Sequence, residues 1–273
     1  MVNSSEHRHQ PPSQIVPNLA DKGVYIGSES TIYRILHEEK MMAHRSAARP
    51  RTHRKPDELN ATMPNQLWSW DITYLPSNIR GKFFYLYMFI DIFSRKIVGF
   101  DVYDEQSAEH AAVVVSNAYI TERVREDEIT LHSDNGGPMK GAMMLAMLEK
   151  LGVATSFSRP SVSNDNPFSE ALFKTLKYCP QYPNKPFTSV ADALSWVAPF
   201  VDWYNKTHQH SGITFVTPAA RHAGKDMEIL ENRKQVYKLA RQKNPNRWSK
   251  QTRNWNRIDE VCLNTKSTSG KAA

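Results

Sequence analysis

The stretch Gln66-Leu67-Trp68-Ser69-Trp70-Asp71-Ile72-Thr73-Tyr74-Leu75 alternates in character. Trp68, Trp70, Ile72 and Tyr74 fall on one side, and Ser69, Asp71 and Thr73 on the other. A period of two is the mark of a half-buried strand, and it turns Asp71 away from the aromatic face. The turn Asn78-Ile79-Arg80-Gly81-Lys82 leads into the apolar run 83–92, and Asp91-Ile92-Phe93-Ser94-Arg95 leads into a third strand over 97–103. Three strands at short spacing predict an antiparallel meander. Beyond it, Ser107 is placed to cap a helix with the stripe Ala108, Ala111, Ala112, Val115, Ala118 and Tyr119. A strand over 129–133 follows, then a helix over about 139–151, a strand over 153–157, and helices over about 167–178 and 188–207. The order βββαβαβαα predicts a mixed five-stranded α/β layer flanked by helices, with crossovers between the later, parallel strands.

The chain has 273 residues, 40% of them hydrophobic, enough for a sizeable core and for one or two domains. No apolar stretch reaches the ~18 residues of a membrane span. The N-terminal ten residues carry no apolar region after their charges, so no secretory signal is expected. Cys179 and Cys262 are too few for a disulfide framework or a Cys-rich zinc site. These features predict a cytoplasmic protein without a membrane partner.

Charge is unevenly spread. Between Asn232 and Ile258 stand Arg233, Lys234, Lys238, Arg241, Lys243, Arg247, Lys250, Arg253 and Arg257 with no acid among them. Arg45, Arg49, Arg51, Arg54 and Lys55 form a second run. Basic arms on a near-neutral body point to a polyanion, and Trp248 and Trp255 within the tail can stack on bases or pack against a partner. A solvated helix face is the plain alternative. The organisation read from composition is a helix-turn-helix-like segment at 10–42, a basic linker at 43–63, a core at 64–224 and a basic tail at 225–273. In the first segment Ile15, Val16 and Leu19 mark one helix, Asp21-Lys22-Gly23 ends it, and Ser28 caps another. Two short packed helices would look the same.

Three carboxylates stand out by position. Asp71 lies within the first strand, Asp134 at the end of the fourth, before Asn135-Gly136-Gly137, and Glu170 on the following helix, for which Asn166 is a good N-cap and Pro167 a good first residue. On that helix Glu170, Lys174 and Lys177 share one face and Leu172, Leu176 and Cys179 the other. If the first and fourth strands are neighbours, Asp71 and Asp134 lie side by side and the helix brings Glu170 over them. Three crowded carboxylates repel unless cations neutralise them, which suits hard divalent ions, above all Mg²⁺.

Asp134 and Glu170 are separated by 35 residues, within the phrases Trp70-Asp71-Ile72-Thr73, His132-Ser133-Asp134-Asn135-Gly136 and Asn166-Pro167-Phe168-Ser169-Glu170. With these the chain resembles the integrase catalytic core of the DDE recombinases, as in retroviral integrases and IS3-family insertion-sequence transposases. Ile90-Asp91-Ile92-Phe93-Ser94-Arg95, Lys177, Trp203-Tyr204-Asn205 and Thr217-Pro218 add to the likeness, which covers roughly 60–220. The resemblance implies an RNase H-like fold and Asp71, Asp134 and Glu170 as catalytic ligands of two Mg²⁺ ions, with Mn²⁺ able to substitute. It also implies DNA strand cleavage and strand transfer at the terminal inverted repeats of an element and at target DNA. Lys174 and Lys177 would contact DNA near the element's end, Lys177 being the residue that the family pattern marks. The likeness is greatest to the second reading frame product of IS3-type elements. That implies an upstream-frame product, or fusion with it, as partner, a homo-oligomer on DNA and association with the nucleoid. The other reading is a non-catalytic DNA-binding fragment of a decaying element, against which the intact carboxylates argue.

Other acids and imidazoles have plainer readings. Asp91 is expected to pair with Arg95, Asp165 to form a turn, and His208 and His210 to be surface features.

Overall fold

The computed structural model describes residues 7, 11–41, 58–125, 128–159, 165–248 and 251–264. The chain divides into two compact units, Met1–His53 and Arg54–Ala273. In the first, α1 (Pro12–Asp21) begins on a proline pair and α2 (Glu29–Glu38) begins at Ser28, whose side chain accepts the Thr31 N–H at 3.2 Å. Ile15 and Leu19 are buried, as their helical spacing predicts. The connector from Lys22 to Ser28 is longer than the ~3–4-residue turn of a DNA-binding helix pair.

The second unit carries β1 (Leu59–Ala61), β2 (Leu67–Pro76), β3 (Phe83–Asp91), β4 (Ile97–Tyr103), α3 (Ala108–Thr121), β5 (Thr130–Ser133), α4 (Ala142–Lys150) and β6 (Ala154–Phe157). It continues with α5 (Pro167–Lys177), α6 (Val190–Lys206), α7 (Pro218–His222), α8 (Asp226–Lys243) and β7 (Val261–Leu263). The main sheet has the order β4-β3-β2-β5-β6. β2, β3 and β4 form the antiparallel meander, while β5 and β6 run parallel to β2. This is the RNase H-like arrangement, and the first and fourth strands of the predicted layer are neighbours in it.

Two cores cover the two faces of this sheet. Trp68 and Trp70 pack with Tyr87, Phe89 and the α3 stripe, Trp70 stacking on Phe89 at 4.9 Å between ring centroids. Leu75, Leu86, Met88 and Ile90 pack against α5 and α6 through Leu172, Leu176, Val197 and Tyr204. The predicted aromatic face of β2 fades along its length, with Ile72 half-buried and Tyr74 exposed as the strand leaves the layer. Burying a large side chain contributes about 1.5–3 kcal/mol, so Trp68 and Trp70 anchor the strand that carries Asp71. Val114 joins the predicted α3 stripe. The helix expected over 139–151 is broken: a 3-10 turn at Pro138–Lys140 gives way to α4 at Gly141, which is extended (ψ 142°). A Cβ at Gly141 would collide with that of Ala108, so the close approach of α3 accounts for a residue without a side chain there.

The segment 225–273 is more than a tail. α8 is followed by a return of the chain whose β7 pairs antiparallel with β1, Leu59 opposite Leu263. Trp255 is only 7% exposed, in a small core with Ile213, Val216 and Leu230, and Trp248 meets Tyr237. Trp255 therefore offers no free ring to a base, because the apolar side of α8 needs it. Lys250, like Arg45, Arg49, Arg51, Arg54 and Lys55, lies outside the described residues.

Candidate active site

The parallel pairing of β2 and β5 sets Trp70 opposite Ser133, which brings Asp71 and Asp134 to adjacent positions at the carboxyl end of β5. Side chains two apart share a strand face, so Ser69, Asp71 and Thr73 look toward α5. Glu170 stands in the first turn of α5 on its exposed face, together with Lys174 and Lys177.

The electrostatics tie these groups together. Burial pushes the Asp71 carboxyl up to about 7, and the carboxylates of Asp134 and Glu170 push the same way, while the Ile72 N–H and the Lys177 ammonium pull it down. Burial and then Asp134 also raise Glu170. Lys177 thus acts on Asp71 directly; Lys174 shares its face of the helix one turn earlier.

Buried polar groups fix the surroundings. Ser158 Oγ donates to Asp134 Oδ1 at 2.7 Å, and Asn135 Nδ2 donates to the Ser158 carbonyl. His132 lies two residues before Asp134 and is wholly buried. Its Nε2 is 2.9 Å from the Asp165 carbonyl, which can only accept, so Nε2 carries the proton and Nδ1 accepts from Ser156 Oγ at 3.0 Å. Burial lowers its pKa and keeps the ring neutral. At the root of α5, Ser69 Oγ donates to Asn166 Oδ1 at 2.5 Å and lies 2.8 Å from Ser169 Oγ. None of Ser69, Ser158, His132, Asn166 or Ser169 was singled out in the sequence as a supporting residue. The available signal was a polar residue on a face that the pattern buries, since such a group requires a partner.

Asn166 stands at the N-cap of α5 as expected, but its side chain makes no cap bond there. Asp165 is more than a turn former: Arg159 grips it through Nε and Nη2, each at 2.9 Å, across the two feet of the segment before α5. Asp91 does not pair with the Arg95 side chain. It accepts from the Ser94 N–H at 2.7 Å, the Ser94 hydroxyl and the Asn65 N–H, whereas Arg95 donates to the Ile92 carbonyl and lies over the Phe168 ring. His210 is half-buried, and burial pushes it down to about 4; its Nδ1 accepts the Gly212 N–H. It is a structural residue at the end of α6, as is His208 against Tyr204.

Ser94, His222 and Glu122 form a second line of groups, with Ser94 Oγ 2.9 Å from His222 Nδ1 and His222 Nε2 3.0 Å from Glu122. Ser94 is fully buried, which denies it any substrate, and the line serves as a structural network. An apolar cleft of about 380 Å³ beside α6, lined by Cys179, Trp196, Phe200 and Trp203, contains none of the three acids.

Among the tail cations, Arg233 donates to the Thr214 carbonyl and lies over Trp255, and Arg253 lies over Phe215 and Trp255. Lys234, Lys238, Arg241, Lys243 and Arg247 are exposed, Lys234 lying 3.6 Å from Glu231.

Among the described residues, no three His, Cys, Asp or Glu side chains stand close enough to hold one ion as placed. Asp71 Oδ1 is turned to the Ile72 N–H at 2.7 Å, and Asp134 Oδ1 to Ser158. The donor set nonetheless fits a hard cation: three carboxylates, all oxygen, of which Asp134 and Glu170 raise Asp71 and Asp134 raises Glu170. No helix among the described residues is long and apolar enough to cross a membrane.

Known proteins resemble this chain over the same region. The integrase core domain family matches residues 61–163, and a second family of the same description matches 151–218. The transposase for insertion sequence element IS904 of Lactococcus lactis is 29% identical over 162 residues, 58% of this chain and 61% of that protein. The transposase InsF for insertion sequence IS3A of Escherichia coli is 32% identical over 117 residues, 43% of this chain and 40% of that protein. The matched part thus spans less than two thirds of the length of these relatives. Among solved structures, the HTLV-2 integrase catalytic core domain in complex with magnesium matches with a TM-score of 0.44 and 16% identity, covering 59% of this chain and 97% of that one. The two integrase-core matches together span residues 61–218, so the chain carries an integrase core domain, and within it the chain is similar to the transposases of IS3-type insertion sequences.

Proposed function

We propose that the chain catalyses metal-dependent cleavage and transfer of DNA strands at the ends of an insertion sequence. The observation that supports this reading is that β2 and β5 set Asp71 beside Asp134, and that Asp134 and Glu170 raise the Asp71 carboxyl while Asp134 raises Glu170. Asp71, Asp134 and Glu170 would hold two Mg²⁺ ions, or Mn²⁺ in their place. Bound as a pair, such ions activate an attacking water or 3′-hydroxyl and stabilise the leaving 3′-oxygen. The protein's part is positional. β2 and β5 offer two carboxylates from a rigid sheet, α5 offers the third, and Lys177, with Lys174 one turn before it, holds the phosphate backbone next to the acids.

The exposed cations of α8 and the turn after it, Lys234, Lys238, Arg241, Lys243 and Arg247, would track the backbone of the terminal inverted repeats or of target DNA. Arg233 and Arg253 already hold protein groups and act there through the fold. An upstream-frame product as partner and a homo-oligomer on DNA belong to the same reading. The intact carboxylates disfavour the alternative of a fragment that occupies ends without cutting.

The test is Mg²⁺-dependent nicking of a duplex that carries the element's terminus, with wild type and with Asp71→Asn, Asp134→Asn and Glu170→Gln. Metal stabilisation of the transition state contributes several kcal/mol, so each variant is expected to lose about a thousandfold or more in rate while duplex affinity stays near that of wild type. Full activity in any one of them removes that residue from the site.

A further inference from the structure

Four N-cap side chains in this protein do what N-caps do: Ser28, Ser107, Ser189 and Thr217 each accept a backbone N–H of the helix they begin. Asn166, among the best N-cap residue types, does not. Its backbone is outside the usual extended cap region (φ −124°, ψ 54°), and its amide is directed at β2 instead. Nδ2 donates to the Trp70 carbonyl at 3.2 Å, which fixes the amide orientation and leaves Oδ1 to accept from Ser69 Oγ at 2.5 Å. With its proton committed to Asn166, the Ser69 oxygen accepts from Ser169 Oγ at 2.8 Å. The bonds therefore run in one direction, from the Ser169 hydroxyl to Ser69, from Ser69 to Asn166, and from Asn166 to the Trp70 carbonyl. All three side chains are at most 1% exposed.

The place of this clasp is what gives it a role. Ser69 and Trp70 immediately precede Asp71, and Ser169 immediately precedes Glu170. The helix forgoes a side-chain cap and gains a dry polar joint between the residues next to two of the three carboxylates. We infer that Asn166 and Ser69 are positioning residues that set Glu170 against Asp71 for shared ligation of divalent cations. This rests on the reading of Asp71, Asp134 and Glu170 as metal ligands. A local capping rule broken without gain to the helix itself is a mark of function elsewhere, and groups one step behind metal ligands tune affinity by about 10–100-fold.

The experiment is titration of the full, metal-free chain with Mn²⁺, read by electron paramagnetic resonance, beside the Mg²⁺ dependence of strand nicking. Asn166→Ser keeps a good cap residue and breaks the clasp; Ser69→Ala removes its centre; Ser169→Ala removes only its outer donor and is the mildest arm. Ser189→Ala, which takes a true cap from α6, is the control for lost stability. The expected result is Mn²⁺ affinity reduced about tenfold or more in Asn166→Ser and Ser69→Ala and less in Ser169→Ala. The Mg²⁺ needed for half-maximal nicking should rise by the same factors, with DNA affinity constant and Ser189→Ala like wild type. Wild-type Mn²⁺ affinity in the folded clasp variants overturns the inference, as does an equal loss in Ser189→Ala. If wild type itself binds no Mn²⁺, or Asp71→Asn binds it equally well, the metal reading fails and the inference falls with it.

Discussion

The protein holds two sets of acids, and they are built on opposite principles. Around the turn after β3, Asp91 is fully buried and receives three hydrogen bonds, while Glu122 is gripped by Lys96 at 2.7 Å and by His222 at 3.0 Å. Every charge there has its partner. Where β2, β5 and α5 meet, Asp134 and Glu170 both raise Asp71, and among the described residues Lys177 is the cation that offsets them there. The first arrangement closes a fold; the second holds carboxylates apart from protein cations, as a binding site for an external one does. Both occur in the same domain, so the number of acids does not reveal a site, whereas their lack of compensation does.

The widest separation between the two is expected in stability. Asp91→Asn places an amide N–H₂ against the N–H and O–H donors of Asn65 and Ser94, and breaking such a buried set should cost about 3 kcal/mol. Asp71→Asn removes a repelled carboxylate and should leave the metal-free protein as stable as wild type at neutral pH, or more so. Urea denaturation in the presence of chelator compares them, and a matching loss in Asp71→Asn would erase the contrast.

The two clusters also differ in pH response. Burial works to lower the pKa of His222, but the carboxylates of Asp91 and Glu122 outweigh it and hold the imidazole above its ordinary range. A raised folded-state pKa gives stability that is fully present below the unfolded value, ~6.5, and is lost as pH rises through the folded one. Wild type should therefore lose stability above about pH 6.5, and His222→Gln, less stable at low pH, should flatten that part of the profile. Identical profiles would remove His222 from the network's energetics.

Smaller effects sharpen the division between cations that fold the protein and cations left for DNA. Removing 232–273 wholesale would strip out Trp255 and β7, so substitution is the cleaner approach. Replacing Lys234, Lys238, Arg241 and Lys243 by Ala should reduce the salt slope of duplex binding by up to ~0.9 per lost phosphate contact without change in melting. Arg253→Ala should lower melting instead, because it uncovers Phe215 and Trp255. Smallest of all, Lys177→Ala should weaken crosslinking to terminal DNA more than Lys174→Ala, and equal effects would dissolve the distinction between them.

Much of this was legible in the sequence. Period-two alternation located β2, and the glycine-rich turn and the 35-residue interval singled out the three acids as candidates. The caps Ser107 and Ser28 behaved as local chemistry predicts. What escaped was non-local. Asn166 looks like a cap because cap propensity is a property of the helix alone, and its partner lies 97 residues away in Ser69. Trp255 looked free because the surface it covers comes from Ile213 and Leu230, and β7 was invisible because three residues, Val261–Leu263, carry no periodicity of their own. Asp91 was read as a partner of Arg95 and Asp165 as a turn former, whereas Ser94 holds the first and Arg159 the second.

The central claim, that Asp71, Asp134 and Glu170 form one divalent-cation site, is met most directly by thermal melting of the metal-free chain with and without saturating Mg²⁺, in wild type and in Asp71→Asn. A ligand that binds only the folded state raises its stability. The account predicts a Mg²⁺-dependent rise in the wild-type melting temperature that vanishes in Asp71→Asn. An equal rise in both proteins, or none in wild type, would contradict it.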